Sequence, residues 1–190
     1  MNAKKLKQKV LQLAFSGVLT GDDASGWERC TLGEVCKYSD EKISFHELDE
    51  TNYVGVDNLL KGKQGKKDTR FAPSSENQTK FEVGDILLGN IRPYLKKLWI
   101  ADVDGGASGD VLCLKPFETI KSDFLYYIVY DDDFFDYNTL YSKGVNMPRG
   151  NKNKIMEYEL ILPPLPTQHR IVTAIKNAFA VLDEIERNLI

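Results

Sequence analysis

Leu162-Pro163-Pro164-Leu165-Pro166-Thr167-Gln168-His169-Arg170-Ile171-Val172 joins a stiff extended segment to the start of a long helix. Each proline fixes its own φ and drives the preceding residue toward extended geometry, so Leu162 to Leu165 is expected to run as a non-helical strap. Pro166 is placed to begin a helix, where its missing N–H costs nothing, and everything after it to Ile190 suits a helix. The apolar positions Ile171, Ile175, Ala178, Leu182, Ile185 and Leu189 fall at heptad spacing, with Phe179 widening the stripe. That spacing puts one narrow apolar seam on a helix of roughly 37 Å. The seam suits either a partner helix or the core of its own domain.

Outward from this segment, composition sets the limits. The chain has 190 residues, 42% hydrophobic and 28% charged, which allows one sizeable core plus a helical extension and suggests neither disorder nor membrane insertion. The N-terminus is basic and lacks a continuous apolar stretch, so it does not read as a signal peptide. Cys30, Cys36 and Cys113 are odd in number and fit a reducing, cytoplasmic setting rather than a disulfide framework. The net charge is −3, but it is unevenly distributed. Lys61, Lys63, Lys66, Lys67 and Arg70 face only Asp68 within their stretch, and Lys143, Arg149, Lys152 and Lys154 have no acid among them. A protein can carry a basic face and remain acidic overall.

Lys4 to Ser16 has helical apolar spacing closed by Gly17. Strands are expected at Tyr53 to Val56, Ile86 to Ile91, Leu98 to Val103 and Val111 to Leu114, with Asp104-Gly105-Gly106 as a hairpin turn between the last two. Ser122 is the expected N-cap of a helix to about Asp131, and a second helix follows over Asp133 to Leu140. Tyr141 to Asn153 reads as a loop, and Ile155 to Leu162 as a short helix or turn followed by a strand. The fold class is therefore mixed α/β (α+β), flanked by a short N-terminal helix and a long C-terminal coiled-coil-like helix.

No catalytic constellation is present: the chain lacks a Walker A sequence, a G-x-S-x-G elbow and an H-E-x-x-H pair. Gly105-Gly106-Ala107-Ser108-Gly109 reads as a turn rather than a phosphate cradle, since no strand-glycine-helix order surrounds it. His46 among Glu47, Asp49 and Glu50 reads as a solvated acidic loop rather than a metal site. Basic residues interleaved with hydrogen-bonding groups point elsewhere. Ile91-Arg92-Pro93-Tyr94-Leu95-Lys96-Lys97 is either a rigid presentation of a guanidinium, a phenol and two ammonium groups, or a solvated turn with Tyr94 in the core. Lys143 to Lys154 combines Asn146, Arg149, Asn151 and Lys152 with glycines, the chemistry that reads adenine and guanine edges and anchors phosphates.

Taken together, Gly84-Asp85-Ile86-Leu87-Leu88, Asn90 to Lys97, Gly144 with Met147-Pro148-Arg149, and the proline strap resemble the specificity subunit of type I restriction-modification systems. Leu11 to Thr20, followed by Trp27, resembles the end of that family's conserved helix. The resemblance implies a half-size subunit with a conserved-region helix in 1–20, a target recognition domain in 21–162 and a spacer helix in 163–190. It implies a non-catalytic protein without cofactor or metal. Such a protein binds double-stranded DNA and directs a methyltransferase subunit, which uses S-adenosylmethionine to methylate adenine, and a restriction-translocase subunit.

A homodimer through the terminal helices, reading a bipartite target, is expected. DNA contact is expected from Arg92, Tyr94, Lys96, Lys97, Asn146, Arg149, Asn151 and Lys152, with Lys63, Lys66, Lys67 and Arg70 as phosphate anchors. The seam Ile171, Ile175, Ala178, Leu182, Ile185 and Leu189 is expected to form the dimer or methylase interface. A helical adaptor that binds protein and never DNA is the rival reading, in which the lysine loops only solubilise the surface.

Overall fold

The computed structural model describes residues 3–73 and 76–188. In chain order the elements are α1 (Ala3–Phe15), β1 (Glu28–Thr31), α2 (Leu32–Val35), β2 (Cys36–Tyr38), β3 (Lys42–Ile43), β4 (Tyr53–Val54), β5 (Gln78–Phe81) and β6 (Ile86–Gly89). There follow β7 (Leu98–Ile100), β8 (Gly105–Ala107), β9 (Val111–Pro116), α3 (Ser122–Tyr130), α4 (Asp132–Leu140), α5 (Lys152–Met156), β10 (Glu159–Leu162) and α6 (Leu165–Asn188). The class is mixed α/β with a long C-terminal helix, as the sequence implies.

β6 organises the interior because its run of apolar residues is buried on both faces. Alternate side chains of a strand point to opposite sides. Ile86 and Leu88 therefore join a core with Leu98, Leu114, Phe124, Phe134, Phe135, Ile171 and Ile175. Leu87 points the other way, among Phe81, Trp99, Ala107 and Cys113. The sheet with strand order β2-β9-β6-β7 is thus covered by helices on one face and by a second sheet, β3-β5-β8-β4, on the other. β1 and β10 form a separate antiparallel pair, which brings residues 28–31 to the start of the proline strap.

The glycine cluster departs from its sequence reading. Gly105 to Ala107 is no hairpin turn: it is β8, parallel to β4 and antiparallel to β5. β9 does not return beside β7 but pairs with β6 and β2. Glycine is needed for close backbone approach, since a Cβ on Gly105 would lie 2.0 Å from the Asn52 carbonyl oxygen. In sequence, Asp-Gly-Gly carries the chemistry of a turn, and nothing local records that a neighbouring strand occupies the missing side-chain space.

α6 starts one residue before Pro166, and its first half belongs to the domain's own core. Ile171 and Ile175 are fully buried and Phe179 packs edge-on against Tyr127 of α3. The expectation that Ile171 and Ile175 face a partner is corrected accordingly. Lys7 of α1 pairs with Asp183, while Asp22 beyond α1 pairs with Arg170, so α1 lies antiparallel along α6 in the same chain. Farther along, Ala178 and Leu182 are half-buried and Ile185 is 49% exposed. Leu189 lies outside the described residues. Among the described residues, no helix is long and apolar enough to cross a membrane.

Gln168 locks the strap. Its fully buried amide donates to the carbonyls of Pro163 at 2.8 Å and Thr119 at 3.1 Å, and its Oε1 accepts from the Lys121 N–H at 2.8 Å. Lys121, rather than Ser122, is the N-cap of α3, and Gln168 of α6 takes up the N-cap residue's own N–H, the donor that a side chain at the third helical position meets in a capping box. Gln168→Leu keeps the volume but leaves three backbone groups without their partner. It is expected to cost about 2 kcal/mol, measured by chemical denaturation, because buried polar groups lose their hydrogen bonds.

Candidate nucleic-acid interface

Three basic segments that are distant in sequence converge. β6 ends at Gly89, and the chain then turns through Arg92 into a 3-10 turn over Pro93–Leu95. Arg92 donates its N–H to the Pro148 carbonyl at 2.7 Å, and Gly150 donates to the Asn90 carbonyl at 3.1 Å. These bonds fasten the 143–150 loop to the strand exit. From the other side, the Gly62 and Lys63 N–H groups donate to the carbonyls of Leu95 and Lys96 at 2.9 and 2.7 Å. The Lys61–Arg70 stretch, the Arg92–Lys97 turn and the 143–150 loop therefore form one continuous rim.

The backbone of this rim is strained. Among the described residues, four non-glycines have positive φ, and three of them lie here: Lys63 at 65°, Arg92 at 52° and Lys96 at 51°. Each is held by the cross-segment hydrogen bonds above. Backbone in this region costs of order 1–3 kcal/mol and persists where the surroundings over-determine it, a pattern that concentrates at functional sites.

The side chains divide into two sets. Lys63 points inward: its Nζ lies 2.8 Å from Asp132, donates to the Tyr130 carbonyl at 3.0 Å and sits over the Tyr130 ring. Lys96 also meets Asp132, at 2.7 Å, with Asp136 at 3.7 Å. Lys97 is buried and donates to the Val56 carbonyl. Lys66 is held by Asp68 and the Thr51 carbonyl and lies over the Trp99 ring. The expectation of free lysines on the surface is thus corrected for Lys63 and Lys97, whose side chains are internal, and narrowed for Lys66 and Lys96. Asn151 uses its side chain to cap α5, accepting from the N–H groups of Asn153 and Lys154.

Arg92, Tyr94, Asn146, Lys152, Lys67 and Arg70 are exposed. Tyr94 is 52% exposed, which settles its two sequence readings against the core. Arg149 is exposed and directs both Nε and Nη2 to Asp110 Oδ1 at 3.2 Å. An exposed pair of this kind contributes little stability, so its consequence is orientation of the guanidinium. Burial pushes the Lys97 ammonium below its ordinary pKa; Asp57 opposes this, and the positive charges of Lys61, Lys67 and Arg92 add to it.

Asp110 and Asp132 were missed by sequence reasoning as parts of this region, and Lys61 was read as a member of the basic run but not as a phosphate anchor. The two aspartates carry no local signal, because their partners lie 36 or more residues away. Among the described residues, no group of three His, Cys, Asp or Glu is placed to hold a metal ion.

A two-layered sheet domain with a helical cover, a converging basic rim and a long trailing helix defines a class that the comparisons identify. The model of the type I restriction modification DNA specificity domain matches residues 24–190, and the chain belongs to that family. It is 33% identical over 109 residues to the type I restriction enzyme EcoDI specificity subunit of Escherichia coli, covering 57% of this chain and 24% of that protein. The StySPI specificity subunit of Salmonella potsdam matches at 24% identity over 98% of this chain and 44% of its own length. In fold it is similar to the HsdS subunit from Thermoanaerobacter tengcongensis, with a TM-score of 0.68 at 18% identity, covering 98% of this chain and 45% of that one. The chain therefore spans less than half the length of these relatives.

Proposed function

We propose that this chain is a DNA-reading specificity subunit that acts as a homodimer of half-size units and directs an adenine methyltransferase, with its restriction-translocase partner, to a bipartite target. The observation that carries this reading is the joining of three basic segments into one rim by backbone hydrogen bonds at Arg92 and Pro148, and at Lys63 and Lys96. Residues 21–162 would read the DNA, and the terminal segments 1–20 and 163–190 would set the separation of the two readers. Arg92, Tyr94, Asn146, Arg149 and Lys152 face the duplex in this reading. Lys67 and Arg70, with Lys61, are the phosphate anchors, since their ammonium and guanidinium groups are exposed. The half-buried and exposed part of the seam, from Ala178 through Leu182 to Ile185, is the surface left for a second copy or the methylase.

Two identical readers related by a two-fold axis require a palindromic bipartite site. The test is methylation mapping in cells that carry this chain as the only specificity chain together with a methyltransferase subunit. Adenine methylation confined to a palindrome with a fixed internal spacer is the expected result. An asymmetric site sinks the homodimer, and methylation indifferent to the chain sinks DNA targeting altogether.

A further inference from the structure

The 143–150 loop carries an apolar tip that its own fold does not use. Lys143 and Arg149 exchange backbone hydrogen bonds, at 2.9 Å from the Lys143 N–H and 2.8 Å from the Arg149 N–H, which closes the loop into a small finger. Gly144 takes φ +108°, a conformation that L side chains rarely adopt. The base of the finger is fixed by the bonds to Arg92 and Asn90, and Gly150 fits so closely there that a Cβ would lie 2.5 Å from Asn138 Oδ1. A finger held this firmly presents Val145 at 99% exposure, with Met147 at 46% and the amide of Asn146 between them.

Two apolar residues are far too small a patch for a protein partner, which needs roughly 800 Å² per side. Cations frame the neck of the finger: Lys143 and Arg149 close it, Arg149 being paired with Asp110, and Arg92 is bonded to it through Pro148. The surface complementary to an apolar point inside a cationic rim is a polyanion whose interior offers apolar groups. The major groove of DNA is such a surface: phosphates line it, and the 5-methyl group of thymine projects into it. Resting on the DNA-reading function proposed above, we infer that Val145 selects thymine at one position of each half-site by contact with its 5-methyl group. The neighbouring Asn146 amide is suited to the adjacent adenine edge.

The experiment uses the full chain and random-sequence duplexes, from which the bound sequences are recovered and counted. Duplexes of the recovered sequence are then remade with deoxyuridine replacing one thymine at a time. Loss of a single contacted methyl group is expected to weaken binding about fourfold at one position per half-site. Val145→Ser, which disturbs no internal contact, is expected to bind the thymine and uracil duplexes equally while keeping its other base preferences, and Val145→Ile to restore discrimination. Equal binding of thymine and uracil at every position by the unaltered chain overturns the inference, as does a thymine preference that survives in Val145→Ser; in both cases DNA reading itself stands. Recovery of no duplex overturns this inference and the DNA-reading proposal together.

Discussion

Asp132→Ala is expected to destabilise the protein by about 3 kcal/mol, because it strands two lysines whose charges have no other close carboxylate of comparable burial. Lys63 and Lys96 reach Asp132 Oδ1 at 2.8 and 2.7 Å, and their side chains are only 7% and 18% exposed. The effect corresponds to a Tm lower by roughly 6–12 °C in a chain of this size, readable by calorimetry. Lys63→Met combined with Asp132→Ala removes one of the stranded charges and should recover part of the loss. A double variant no more stable than the single would show that the pair is not the cause.

The pH dependence follows from the same contacts. Burial pushes the Asp132 carboxyl up, but hydrogen bonds from Lys63 and Lys96, with their charges, outweigh it and hold the pKa below the ordinary aspartate value. A depressed carboxylate stabilises the fold above its unfolded pKa, and that contribution is lost as pH falls through the folded one. The gap between wild type and Asp132→Ala is therefore full at neutral pH and closes as the pH drops below the ordinary aspartate range. The rim should loosen along with it, since Lys96 ends the strained turn that begins at Arg92.

Gly105→Ala is expected to cost about 3 kcal/mol, the upper part of the usual range for overpacking. Its added Cβ would meet the backbone oxygen of Asn52 at 2.0 Å and the Phe81 ring at 2.8 Å. No side-chain rotation relieves a clash with backbone, so β8 must shift from its neighbour β4. Gly109→Ala is the matched control: it lies in the same glycine-rich run, its Cβ would meet nothing within 4 Å, and its stability is expected to change little. If the two variants melt together, β8 does not occupy the interior of the second sheet.

These cases show which parts of the molecule were legible in sequence. α1, β6, α4 and α6 declare themselves through repeats of 3.6 or through a short apolar run, patterns that arise because one element's residues share a face. The pairing of β9 with β6, and β8 as a strand at all, depended on chain segments 20 or more residues away. Arg92 and the 143–154 loop were found because guanidinium, amide and glycine chemistry is visible residue by residue. Their junction through Pro148 was not, because it consists of backbone hydrogen bonds that leave no side-chain signature.

The lysines make the division plain. Lys63, Lys66, Lys67, Lys96 and Lys97 look equivalent as a string of charges, and sequence alone established the basic character of both segments. Tertiary structure turned Lys63 and Lys97 inward and left Lys67 and Arg92 exposed. Likewise, the proline strap and its heptad by themselves determined a stiff lead into a long amphipathic helix. Only packing decided that Ile171 and Ile175 serve the domain's own core while Ile185 stays half open. Periodicity and side-chain chemistry are local properties that a sequence carries in full; which partner fills a charge, a groove or the space beside a glycine is set by chain segments brought together from far apart.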